Sequence, residues 1–123
     1  MSELTKVEHG LIRRVYEGMW NGHNPSLAHE LFANPRGVTS FVVRFLSAFP
    51  DLQHTIEEML MEDQRVAVRF SARGTHRGRW LEFEPTGKSI SYTGVTLARI
   101  EDGRITSHQT WWDEWGLLRQ IRG

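Results

Sequence analysis

The hydrophobic period of the chain changes at Pro50-Asp51, and that change limits what the chain can become. Before it, apolar residues recur every three or four positions, the repeat of a helix face. After it they alternate, the repeat of a strand with one buried side. Val38, Phe41, Val42, Phe45, Leu46 and Phe49 form a stripe that predicts a helix over 37–48. Pro50 forbids its continuation, because the residue before a proline avoids helical geometry.

Upstream, Leu4, Val7, Leu11, Val15 and Met19 share one helical face and predict a helix from Ser2 to Asn21. Ser2 or Thr5 can cap its start, and Thr5 with Glu8 has capping-box spacing. Gly22 and Asn24-Pro25 end it. A short helix over 25–32 follows, with Asn24 as N-cap, Pro25 in the first turn and Leu27, Leu31 and Phe32 as its buried side. Asn34-Pro35 breaks it.

Downstream, strands are predicted over 53–61, 65–75, 89–100 and 104–112. The second alternates most clearly, with Val66, Val68, Phe70 and Ala72 on one face and Arg65, Arg69, Ser71 and Arg73 on the other. Glu62-Asp63 makes a turn, and Glu101-Asp102-Gly103 a hairpin, since Asp-Gly readily takes positive φ. An irregular connection over 76–88 carries Trp80, Leu81 and Phe83. Helices followed by strands with short turns define an α+β fold, three N-terminal helices packed on one face of a curved four-stranded antiparallel sheet. A sheet that bends around its helices can leave a pocket between its concave face and the helices. The 123 residues suit one such domain over 1–123.

Composition narrows the function. Basic and acidic residues number 15 each, so a balanced chain gives no electrostatic reason to expect nucleic acid or an anionic membrane as partner. The absence of cysteine excludes disulfides, thiolate metal sites and cysteine nucleophiles. No apolar run is long enough to cross a bilayer and MSELTKVEHG has no signal core, so a cytoplasmic location is expected. Six histidines are scattered without metal-ligand spacing, so no metal is expected. There is no phosphate-binding loop, dinucleotide glycine fingerprint or nucleophile elbow. The glycines of GTHRG and PTG fit turns.

The stretch richest in chemistry is RITSHQTWWDEWGLLRQIRG, residues 104–123. Asp113 stands among Trp111, Trp112 and Trp115. A carboxyl crowded by indoles and kept from water has a raised pKa, which suits proton transfer; the plainer reading is a helix N-cap, with Glu114 in the first turn. Strict alternation puts Gln109, Trp111 and Asp113 on one face. His108 then falls on the other, towards a partner subunit or solvent, unless a bulge near Trp111-Trp112 reverses the phase. Trp20 and Phe45 supply further aromatic wall. His54 either reaches the cavity mouth or is a surface histidine bonded to a neighbouring strand. Arg73, like Arg69, either orients a ligand carboxylate or ester oxygen, or sits on a solvated sheet face paired with Glu57 or a similar acid.

Four pieces taken in order carry a family resemblance: YEGMWNGHNPSLAHELF, AFPDLQHTIEEML, DQRVAVRFSARGTHRG followed by PTGKSISYTGVTLARIEDGRI, and HQTWWDEWGLLRQIRG. Together they resemble the SnoaL-like polyketide cyclases, within the nuclear transport factor 2-like superfamily. The resemblance implies a cone-shaped cavity closed by three helices, and an intramolecular aldol condensation that closes the last ring of a polyketide methyl ester. It also implies that no metal or organic cofactor is needed and that an aspartate near the end of the last strand is the general acid/base, a position matched by Asp113. Two departures stand out. Family members usually have a strand and loop between the second and third helices, whereas only FANPRG is present here, so the sheet lacks an edge strand or the pocket a wall. The family's characterised cyclases use a histidine on the penultimate strand; here Thr93 and Thr96 are the nearest polar residues.

These readings predict an enzyme of the cyclase or isomerase type acting on a hydrophobic small molecule, with Asp113 as proton carrier, Trp111, Gln109, Trp20, Phe45, His54 and Arg73 around the ligand, and His108 as a candidate partner. The alternatives are a non-catalytic binding protein of the same fold, or an epoxide hydrolase or hydroxylase-like relative, which an Asp-Arg-Asp water-activating set would support. An open sheet whose convex face carries Trp112 or similar aromatics predicts a homodimer.

Overall fold

The computed structural model describes residues 3–123, with side chains from Lys6 onward. Helix α1 (Glu3–Arg13) runs on into a π-helical segment (Arg14–Trp20). A 3₁₀ turn (Pro25–Leu27) leads into the single turn of α2 (Ala28–Leu31), then α3 (Arg36–Ala48). Strands β1 (Gln53–Glu62), β2 (Arg65–Thr75), β3 (Ser89–Glu101) and β4 (Arg104–Trp112) follow, and α4 (Glu114–Arg122) closes the chain. The sheet is an antiparallel meander in the order β1-β2-β3-β4.

The expected elements form where the periods place them. The proposed caps at Ser2 and Thr5 and the first apolar position, Leu4, lie outside the residues whose side chains are described. Leu11, Val15 and Met19 are buried, whereas Val7, nearer the start of the helix, is exposed. The Asn24 side chain makes no cap bond to the helix; its Oδ1 accepts from the Ser26 hydroxyl at 2.8 Å. Asp102 and Gly103 both take positive φ, 50° and 75°, as the hairpin requires.

The core lies between the inward sheet face and the helices. Val66, Val68, Phe70 and Ala72 alternate inward from β2, and Ile90, Tyr92, Thr96, Ala98 and Ile100 from β3. Phe45 is its hub, with ring contacts to Trp20, Phe49, Trp80, Tyr92 and Trp112 between 4.9 and 5.9 Å. Trp80 is brought in by the irregular connection, which is closed by reciprocal main-chain bonds between Trp80 and Phe83 and tied to the end of α3 through the Ala48 carbonyl. Gly94 is required by close approach: a Cβ there would lie 2.5 Å from Phe70 Cζ and 2.8 Å from the Trp111 carbonyl oxygen.

The shortened FANPRG connection does not leave the sheet edge wholly bare. Phe32 forms a one-residue parallel bridge with Ile105, and the Ala33 N–H donates to the Ile105 carbonyl at 2.9 Å. The edge strand seen as missing from the sequence is thus reduced to a single bridge beside β4.

Candidate active site

Between the inward sheet face and the helices lies a cavity of about 450 Å³. Its walls are mostly aliphatic and aromatic, from Ile12 and Met19 through Phe41 and Phe45 to Trp112. Among the described residues, no lysine, arginine, aspartate or glutamate lines it. The π-helical segment supplies Val15, Tyr16, Met19 and Trp20 to one wall. Single π turns inside helices are rare and concentrate at functional sites. Asn34, Gly37 and Val38 line the side where the connection is short, so a wall is present there.

Besides Asn34 and Gln109, polar groups enter this surface at three places. Tyr16 donates to or accepts from Thr96 at 2.6 Å, and Thr96 bonds Thr110 at 2.8 Å, a hydroxyl chain running from the helix to β4. Burial pushes the Tyr16 phenol up to about 12, although its bond to Thr96 works the other way, so it stays protonated. His54 and Tyr92 form the second group. The His54 imidazole packs against Tyr16, Trp20 and Phe70, with Nε2 3.4 Å from the Tyr92 hydroxyl and Nδ1 enclosed without a partner. Burial lowers His54 to about 4 and raises Tyr92, so both are neutral near neutral pH. His108 is the third, edge-on to Phe32 at 5.1 Å between ring centres; desolvation lowers its pKa while it keeps solvent-accessible area.

His54 is held by an unusual clamp. The Asn21 side chain accepts from the His54 N–H at 2.6 Å and donates to the His54 carbonyl at 2.8 Å, so the end of the first helix fixes the edge strand at that residue. The histidine expected at the surface or mouth is instead 7% exposed, within the wall.

The last strand departs from strict alternation. Ile100 pairs with Ile105 and Arg99 with Ser107, which leaves Thr106 as an extra residue in β4. This bulge reverses the phase beyond it. His108, Thr110 and Trp112 therefore face the cavity, opposite Ala98, Thr96 and Gly94. The expectations that His108 points to a partner or solvent and that Trp112 lies on the convex face are corrected accordingly. Trp111, opposite Val95, stands on the outer face and is 52% exposed, so it is not a cavity wall. Gln109 borders the cavity, but its register opposite Leu97 turns its side chain to the outer face.

Asp113 follows as the N-cap of α4. Its Oδ1 accepts from the Gly116 N–H at 2.9 Å, its residue is exposed, and it does not line the cavity. A carboxyl kept dry among indoles is therefore not what this strand end builds: Trp111 and Trp115 are themselves 52% and 62% exposed. Arg73 is exposed on the outer sheet face, away from the cavity, as is Arg69, whose Nε lies 3.4 Å from Glu58. Trp20 and Phe45 do line the cavity. Of the two threonines noted on β3, Thr96 is in the wall and Thr93 is exposed. Tyr92, Thr96 and Tyr16 were legible only as polar groups at positions whose neighbours in phase are apolar. Among the described residues, no three histidine, aspartate or glutamate side chains group as a metal site, and no helix is long and apolar enough to cross a membrane.

Comparison with known proteins agrees with this architecture. The profile of the SnoaL-like polyketide cyclase family matches residues 10–121. Over 101 residues the chain is 32% identical to nogalonic acid methyl ester cyclase of Streptomyces nogalater, covering 80% of this chain and 75% of that one. It is 31% identical to aklanonic acid methyl ester cyclase DnrD of Streptomyces peucetius, covering 80% of this chain and 66% of the relative. TsrD from Streptomyces laurentii superposes with a TM-score of 0.85 at 21% identity, covering 98% and 97% of the two chains. A SnoaL-like polyketide cyclase from Agrobacterium tumefaciens gives 0.75 at 15% identity, covering 98% and 99%. A matching family profile over nearly the whole described chain, on a four-stranded sheet that closes a cavity against its helices, places this protein in the SnoaL-like polyketide cyclase family.

Proposed function

We propose that this protein closes a ring in an uncharged, polycyclic polyketide ester by a cofactor-independent intramolecular aldol reaction. The observation that carries this reading is the cavity itself: about 450 Å³, walled mostly by aromatic and aliphatic groups, with no lysine, arginine, aspartate or glutamate among the described residues that line it. A free carboxylate would lose its hydration there without a cation to replace it. An ester carries no such penalty, and flat fused rings suit aromatic walls. The relatives named above as methyl ester cyclases support the same substrate class.

A carbon between two carbonyls is already acidic, so the protein's task is to hold a reactive conformer and move one proton. His108 suits the proton step on geometry: its ring lies in the wall, and its lowered pKa keeps it neutral and able to accept. The family resemblance gives that role to Asp113, whose carboxylate is engaged by the Gly116 N–H. The hydrolase alternative finds no support in the wall, since neither aspartate nor arginine is among the described residues that line it.

The test is turnover of aklanonic acid methyl ester and of its free acid, followed by chromatography. Cyclised ester above the uncatalysed rate, with the free acid turned over far more slowly, is expected. No acceleration with the ester overturns the reading and favours a binding protein. His108→Gln is expected to lower kcat by 10²–10⁴-fold. A comparable loss in a folded Asp113→Asn variant, with His108→Gln active, returns the proton to Asp113.

The protein acts as a homodimer in this reading. Leu60, Val95, Leu97 and Trp111 are exposed on the outer sheet face, where Leu60 and Leu97 flank Ala67 across three strands and Val95 stands opposite Trp111. A second copy would cover that row.

A further inference from the structure

His54 and Tyr92 are two neutral hydrogen-bonding groups, each 7% exposed, side by side in a wall that is mostly apolar. Their contact is long: Nε2 to hydroxyl oxygen is 3.4 Å, at the outer limit of a hydrogen bond. Among the described residues neither side chain has another partner of that kind, and His54 Nδ1 is enclosed with none. A sealed N–H is costlier to leave unpaired than a sealed lone pair. The tautomer that follows carries its proton on Nε2, towards Tyr92 and the cavity. Tyr92 then has a free O–H to give. Two donors thus stand 3.4 Å apart on one stretch of wall, too far for a good bond to each other and close enough to share one acceptor between them.

We infer that the Nε2–H of His54 and the O–H of Tyr92 form a subsite for a single carbonyl or enolate oxygen of the ligand. This rests on the proposed function for its chemistry, because an oxygen that gains negative charge during an aldol step is what a pair of preset neutral donors stabilises. The scaffolding around the pair fits such a role. Asn21 pins the main chain of His54 from both sides, and the rings of Trp20 and Phe70 fix the imidazole plane at 4.9 and 5.4 Å between centres. The donors are held in place before a ligand arrives.

The test uses fluorenone and fluorene, two flat three-ring molecules of nearly equal shape that differ by one carbonyl, titrated by tryptophan fluorescence. The wild-type protein is expected to bind fluorenone about tenfold or more tightly than fluorene, and the bound carbonyl stretch is expected to move to lower frequency. Tyr92→Phe and His54→Phe should each cut the preference several-fold while leaving fluorene affinity within about twofold. A wild-type protein that does not discriminate, or variants that keep the full preference, overturns the inference. If a variant loses fluorene as well, the wild-type imidazole decides: nitrogen-15 NMR at neutral pH should place its proton on Nε2, and a proton on Nδ1 overturns the inference. Neither probe is turned over, so failure here leaves the cyclase reading standing, and failure of turnover leaves this binding result standing.

Discussion

The side-chain amide of Asn21 holds the main chain of His54 at both its N–H and its carbonyl, at 2.6 and 2.8 Å. β1 is an edge strand, so these two groups have no further strand to pair with. The clamp is the point at which the helical layer fixes the position of a cavity residue. Asn21→Leu removes both bonds, and a loss of about 1–3 kcal/mol is expected by urea denaturation. A change below 0.3 kcal/mol would show that the strand end is held by packing alone.

The hydroxyl chain through Thr96 makes a second prediction. Thr96→Val leaves the buried Tyr16 hydroxyl without its 2.6 Å partner, at a cost of about 1–3 kcal/mol. Adding Tyr16→Phe removes the orphaned group, so the double variant should be more stable than the sum of the two single losses. Strict additivity in the denaturation cycle would mean that the two hydroxyls do not depend on each other.

Acid should weaken this fold through its histidines. His54 titrates near 4 when folded and near 6.5 when exposed, because burial disfavours its charged form. Between these values the unfolded chain holds the extra proton, so stability falls as pH drops from about 6.5 towards 4, by on the order of 3 kcal/mol. His76 and His108, also lowered by burial, act in the same direction. In His54→Phe the stability lost between pH 7 and 4.5 should shrink by about 2 kcal/mol. An unchanged slope would place the acid sensitivity elsewhere.

Gly94→Ala should be poorly tolerated. The added methyl would meet the Trp111 carbonyl oxygen at 2.8 Å, a main-chain atom that cannot swing aside, as well as Phe70. A cost of about 1–3 kcal/mol is expected, with weaker fluorene binding as β3 and β4 part. Wild-type stability in this variant would contradict the close approach.

Leu97→Glu puts a charge in the exposed apolar row of the outer sheet face. Sedimentation velocity should show a dimer for the wild type and a monomer for the variant, with the cavity intact by fluorene titration. A wild-type protein that sediments as a monomer removes the dimer proposal.

The helical layer and the four strands could be read from the sequence because each rests on a sustained period. β2 alternates without interruption, and its inward set is the one its apolar residues name. The site was harder to read for a local reason. Thr106 is one unpaired residue with no distinguishing side chain, yet it decides whether His108 or Gln109 looks inward. Counting by twos from Asp113 therefore chose Trp111 and Gln109 over His108 and Thr110. The aspartate's capping role was readable from its position before Glu114, and that plainer reading is what the Gly116 N–H bond realises. The π turn and the Asn21 clamp leave no periodic mark, since each depends on main-chain geometry that several residue types would permit.

That single unpaired threonine also shows how such a chamber can change its contents. Removing or adding one residue there would exchange the two sides of the strand beyond it, bringing a glutamine and a tryptophan indoors and sending a histidine out, while every hydrogen-bonded rung of the ladder could re-form. A lineage carrying this scaffold can thus refit its interior by a change of one codon in length, without disturbing the helices that roof it.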